Sequence, residues 1–82
     1  MDKPVYHHLL IIIDWEIFDN EIFATYEEIE PALRALVTDY QQNLNFSDEL
    51  VEEILSATDL SELREALEDQ DVAVYLSTLT AP

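Results

Sequence analysis

From Val5 to Phe18 the chain alternates with a period of two. The odd positions Val5, His7, Leu9, Ile11, Ile13, Trp15 and Ile17 are apolar except for His7, and the even positions Tyr6, His8, Leu10, Ile12, Asp14, Glu16 and Phe18 are mixed. Such alternation predicts a strand with one side in a core and one side less buried. Trp15 then belongs to the core. Asp19-Asn20 tolerate the left-handed backbone of a two-residue hairpin, so the chain is expected to turn there and return as a strand over Glu21 to Ala24. In that register Ile17 faces Ile22, Phe18 faces Glu21 and Glu16 sits opposite Phe23.

After Ala24 the period changes from two to that of a helix. Thr25-Tyr26-Glu27-Glu28 matches a capping box, while Pro31 fits the first turn of a helix that begins just after Glu30. In either case the helix runs to about Gln42, with Ile29, Leu33, Leu36, Val37 and Tyr40 on one face. Ser47 precedes Asp48 and Glu49, an N-cap followed by acids where the helix dipole favours them. Leu50, Val51, Ile54 and Leu55 form the apolar stripe of this second helix. Asp59-Leu60-Ser61-Glu62 opens a third, with Leu60, Leu63, Ala66 and Leu67 inward, and Asp69-Gln70-Asp71 ends it. Val72 to Leu79 reads as a last strand, with Val72, Val74 and Leu76 on one side and Ala73, Tyr75 and Ser77 on the other.

The order β-β-α-α-α-β over residues 1–82 predicts one small α+β domain. Its antiparallel or mixed three-stranded sheet has the first strand in the centre and helices on one face. If only one face is covered, Tyr6, Leu10, Ile12, Phe18, Phe23 and Tyr75 lie on the other. An open apolar face of that size marks an interface, and homodimerisation through it is one reading. Coverage by the third helix or a terminus is the other.

Charge changes the picture. Nineteen residues are Asp or Glu, against Lys3, Arg34 and Arg64, for a formal net charge of −16. With 49% hydrophobic residues the chain is too apolar for a disordered acidic tail, so the acids are expected to coat a folded domain. Ten of them fall between Asp48 and Asp71, with Arg64 the only base there. Helical spacing groups Glu49 with Glu52 and Glu53, and Glu62 with Glu65, Glu68 and Asp69; Asp59 and Asp71 flank the third helix. Asp14, Glu16, Asp19 and Glu21 form a second cluster at the hairpin, and Glu27, Glu28 and Glu30 a third. Carboxylates about 5–6 Å apart along a helix approach the spacing of DNA charge, about one per 3.4 Å of axis on each strand. Two such charges ~6 Å apart in water repel by roughly 0.7 kcal/mol before screening. Added salt should therefore raise the melting temperature. A charge so poorly relieved by Lys suggests a role outside folding, as a field that attracts and orients a basic partner. The alternative is a solvated face of the kind halophilic proteins carry.

Composition also excludes chemistry. Without cysteine there is no disulfide, zinc thiolate or cysteine nucleophile, and without glycine no Gly-rich phosphate loop. His7 and His8 point to opposite sides of a strand and do not chelate one ion, so a buried or half-buried strand histidine is expected. No motif marks a nucleophile, and paired acids for hydrolysis need a cleft that 82 residues scarcely supply. The expectation is a non-enzymatic protein with no cofactor and no metal. The longest apolar run, Leu9 to Ile13, is too short for a membrane helix or a signal-peptide core, and an acidic surface is repelled by anionic lipid and by nucleic acid itself. A cytoplasmic location follows as an expectation.

In size, charge and absence of catalytic motifs the chain resembles the small phage-encoded DNA-mimic inhibitors, a group that includes many anti-CRISPR and antirestriction proteins. The resemblance lies in composition across the whole chain, and no functional residue carries over. It implies an inhibitor, acting in the host-cell cytoplasm, that occupies the nucleic-acid site of a nuclease, CRISPR effector or repressor. The acids Glu49, Glu52, Glu53, Asp59, Glu62, Glu65, Glu68, Asp69 and Asp71 would meet the partner's Lys and Arg, with Asp14, Glu16, Asp19 and Glu21 extending the track. Two other readings use the same residues: an antitoxin or immunity protein against a cationic toxin, and a structural or adaptor subunit that dimerises through its sheet.

Overall fold

The computed structural model describes residues 4–80; Lys3 lies outside that range. Strands β1 (Val5–Ile13), β2 (Glu16–Phe23) and β3 (Val72–Thr80) form one antiparallel sheet in the order β2-β1-β3. Between β2 and β3 run a 3₁₀ turn (Tyr26–Glu28) and helices α1 (Ile29–Asp39), α2 (Gln41–Leu44), α3 (Asp48–Leu55) and α4 (Leu60–Glu68). The α+β class, the element order, the central first strand and the helices on one face all stand as the sequence predicts. The short α2 is a single turn that resumes after α1 breaks at Tyr40. No helix among the described residues is long and apolar enough to cross a membrane.

The hairpin differs from expectation. The chain turns at Asp14-Trp15, five residues before Asp19-Asn20, and both turn residues have positive φ, 53° and 67°. A two-residue hairpin with both central residues in this region matches the twist of the flanking strands, and Asp is well suited to it. Trp is not, because a bulky Cβ substituent crowds the backbone there. The chain has no glycine to offer in its place. Apolar residues at 13, 15 and 17 imitate an unbroken strand, which is why alternation alone conceals the turn.

The register differs for the same reason. Glu16 pairs with Ile13, Ile17 with Ile12, Asn20 with Leu10 and Ile22 with His8. A bulge opposite Ile11 inserts Phe18 beside Asp19. The earlier turn already puts Phe18 on the helix side, where it packs against the core, and the extra residue shifts the alternation after it by one. Phe23, paired with His7, packs against the core as well.

The helices form where the caps and apolar stripes require. The Glu28 carboxylate accepts from the Thr25 N–H at 3.2 Å, the reciprocal half of the capping box. The Ser47 hydroxyl accepts from Leu50 N–H at 3.1 Å and the Asp59 carboxylate from Glu62 N–H at 2.8 Å. Pro31 sits in the first turn of α1, where its missing N–H costs nothing. The core is a single cluster: Leu9, Ile11, Val72 and Val74 from the sheet meet Ile29, Leu33, Leu36, Val37, Val51, Ile54, Leu60, Leu63 and Leu67 from the helices. Tyr40 stays exposed on its outer side while meeting Phe18 edge to face, ring centres 5.2 Å apart.

Candidate functional site

Residues paired across antiparallel strands share a face. Four rows of such pairs make up the side of the sheet away from the helices: Ile17–Ile12–Ala73, Asn20–Leu10–Tyr75, Ile22–His8–Ser77 and Tyr6–Leu79. None of these residues is Asp or Glu. The acids of β2 point the other way, because Glu16, Asp19 and Glu21 pair with Ile13, Ile11 and Leu9, whose side chains face the helices. Every other described acid lies on a helix or a connection, and none is buried. Among the described residues the sheet is therefore two-sided, with an acid-coated helical layer and an open face whose paired strand positions hold no acid.

On the helical layer, α3 and α4 pack against each other and present their carboxylates outward. Several of those expected to meet a partner already have structural work. Asp59 caps α4, Glu62 accepts from the Thr58 N–H and hydroxyl at 3.0 Å, and Glu68 pairs with Arg64 at 3.2 Å. Glu49, Glu52, Glu53, Glu65, Asp69 and Asp71 are left to solvent. For Glu65 and Asp69, at the C-terminal end of α4, that placement opposes stability. A helix C-terminus favours cations by about 0.3–1 kcal/mol each. Neither α3 nor α4 has a base in its own last turn; Arg34 reaches the end of α3 from α1, while Glu65, Glu68 and Asp69 crowd the end of α4.

The described cations do not relieve this surface. Arg34 turns inward from α1, donating to the carbonyls of Leu55 at 2.8 Å and Ala57 at 2.6 Å while pairing with Glu30 at 2.8 Å. It closes the C-terminal end of α3 and ties it to α1. Arg64 is held by Glu68 four residues on. The outward field of the helical layer is left almost entirely to carboxylates.

At one end of the sheet the two sides meet. Asp14 and Trp15 at the hairpin turn, Glu68 from α4, Asp71 before β3, and Ile12, Ala73 and Tyr75 line an open concavity of about 580 Å³. Trp15, expected in the core, is 99% exposed. An exposed indole flanked by Asp14 and Glu16, on a backbone that disfavours it, is the functional candidate that alternation missed. Its sequence signal is Asp14, the residue that ends the aliphatic run and suits a two-residue turn.

The expected dimer face divides. Tyr6, Leu10, Ile12 and Tyr75 do lie on the open side, but Phe18 and Phe23 belong to the helix side for the reasons of register given above. Ile17, Ile22 and Leu79 take their place, at 66%, 62% and 44% exposure. His8 is half-buried in the middle of this side, where its Nε2 meets the Asn20 side-chain oxygen and its Nδ1 lies 3.4 Å from the Ser77 hydroxyl. His7, half-buried on the other side, meets Tyr26 edge to face. Among the described residues no three of His, Asp and Glu gather as a metal site. Comparison with protein-family models, curated proteins and solved structures finds no match to this chain.

Proposed function

We propose that the chain is a non-enzymatic inhibitor that presents nucleic-acid-like charge to a basic nucleic-acid-binding protein, of the kind found in nucleases, CRISPR effectors and repressors. The observation that carries this reading is the segregation of charge: no described acid takes a paired position on the sheet's open side, and Glu65 and Asp69 crowd the C-terminal end of α4, where they weaken the fold. Solubility alone asks for neither. Glu49, Glu52, Glu53, Glu65, Asp69 and Asp71 meet the partner's Lys and Arg, with Asp14 and Glu16 continuing the track around the hairpin end. Trp15 adds what a phosphate track lacks, a planar aromatic surface beside anions. Proteins that grip single strands hold bases on aromatic and guanidinium surfaces, and an indole suits the same surfaces. The inhibitor acts where such proteins act, in the cytoplasm.

One observation also favours an antitoxin or immunity role. Trp15 projects from the end of the molecule, as an anchor that plugs a cationic catalytic cleft would.

The test is affinity capture from a host lysate, eluted with a salt gradient and identified by mass spectrometry. Basic nucleic-acid-handling proteins are expected to elute late, and a variant carrying Glu49→Lys, Glu53→Lys, Glu65→Lys and Asp69→Lys to retain none of them. Unchanged capture by that variant would overturn the charge reading. Capture of a single toxin encoded beside the chain would select the immunity role.

A further inference from the structure

The two edges of the sheet are built differently. Strand β2 carries Glu16, Asp19 and Glu21, and charge on an edge strand is a means by which proteins keep other strands from pairing with it. Strand β3, Val-Ala-Val-Tyr-Leu-Ser-Thr-Leu-Thr, is nine residues long and carries no charge. It pairs on one side only, with β1. Of the two edge strands in the described sheet of a chain with nineteen acids, this one is neutral. Its second half is open on both sides of the sheet. Tyr75, Ser77 and Leu79 are exposed on the side without helices, and Thr78 and Thr80 are exposed on the helix side, beyond the cover that the helices provide.

We infer that β3 pairs antiparallel with β3 of a second copy, joining two sheets into one of six strands in the order β2-β1-β3-β3-β1-β2. The strand is complementary to itself in that arrangement. Centred on Leu76, the pairing sets Val72 against Thr80, Ala73 against Leu79, Val74 against Thr78 and Tyr75 against Ser77, with no acid opposite another along the seam. Nine paired residues supply roughly eight to ten hydrogen bonds, within the ~10 ± 5 of an ordinary protein interface. Tyr75 and Leu79 add diagonal contacts on the open side, and Leu76 meets its own copy on the other.

Joining at the β3 edge sets no acid against an acid across the seam and leaves the open faces of both copies uncovered. The remaining repulsion gives the dimer a signature. Its association strengthens as salt is added, whereas capture of a basic partner weakens, so the two readings fail separately.

Sedimentation velocity of the full chain between 1 and 100 µM tests the pairing. The expected result is a dimer of twice the 9.5 kDa chain mass, with its dissociation constant falling from 0.1 to 0.5 M salt. Thr78→Glu puts a charge at the seam on the helix side, away from the open face, and is expected to weaken the dimer tenfold or more. Thr78→Val, which keeps the strand neutral, leaves it intact. Ile22→Glu, on the open side of β2, also leaves it intact. Amide hydrogen exchange gives the same answer without a substitution, as protection rising with concentration over β3 and not over β2. A wild-type monomer at 100 µM in 0.5 M salt overturns the inference. So does a dimer that Ile22→Glu dissociates and Thr78→Glu does not, which would place the contact on the open face.

Discussion

Leu9 and Leu10 are neighbours in the most central strand and belong to different surfaces. Leu9 is 1% exposed beneath the helices, on the side that carries every β2 acid. Leu10 lies on the acid-free side, between Asn20 and Tyr75, with no layer packed over it. The chain thus separates two properties that small acidic proteins can mix. Charge and core share the helical side, where burial beneath the helices offsets the repulsion above them. Among the described strand residues the other side is apolar, lightly polar at His8, Asn20 and Ser77, and free of acids. Such sorting shows that the −16 is a pattern and not only a quantity.

The largest expected effect breaks this pair directly. Leu9→Ala opens a cavity in the single core and should cost about 2–5 kcal/mol in urea unfolding, while Leu10→Ala should cost about 1 kcal/mol or less. Equal losses would mean that the open face is covered after all.

The hairpin end, where the two sides meet, supplies the next effect. Trp15→Gly relieves a side chain held at positive φ and should stabilise the fold by about 1 kcal/mol, read as a rise in melting temperature. The same change is expected to weaken partner binding, because the exposed indole contributes nothing to the core. A loss of stability would show that Trp15 packs against a neighbour.

Those two residues also mark how far the sequence alone reaches. The helices were legible because Ser47 and Asp59 are caps whose chemistry is local, and because Leu60, Leu63 and Leu67 repeat at helical spacing. The final strand and the central place of the first were legible for similar reasons of pattern and order. The hairpin was not. A two-residue turn usually advertises itself with Gly or Asn, and here Trp15 continues the apolar alternation through it. The early turn puts Phe18 on the helical side, and the bulge then shifts the alternation of the residues after it, which puts Phe23 there too. The segregation of acids depends on that register, so the sequence could count the carboxylates but could not say that one face lacks them.

A smaller effect sharpens the acidic side. Glu65→Lys with Asp69→Lys places cations at the C-terminal end of α4, where the dipole favours them. The pair should add about 0.3–1 kcal/mol for each change, most visibly at low salt. Binding of a basic partner should fall in the same variant. Gain in stability with loss of binding is the outcome expected when acids are kept for recognition; stabilisation with unchanged binding points to a solvated surface only.

The most direct measurement is a footprint. Backbone amide shifts followed during titration with an arginine-rich peptide should move along α3, α4 and the Asp14–Glu16 turn, and stay still at Tyr6, Leu10, Ile22 and Leu79. Comparable shifts at those open-face residues, or shifts spread evenly over the whole chain, would contradict a two-sided molecule whose acids are arranged to be read.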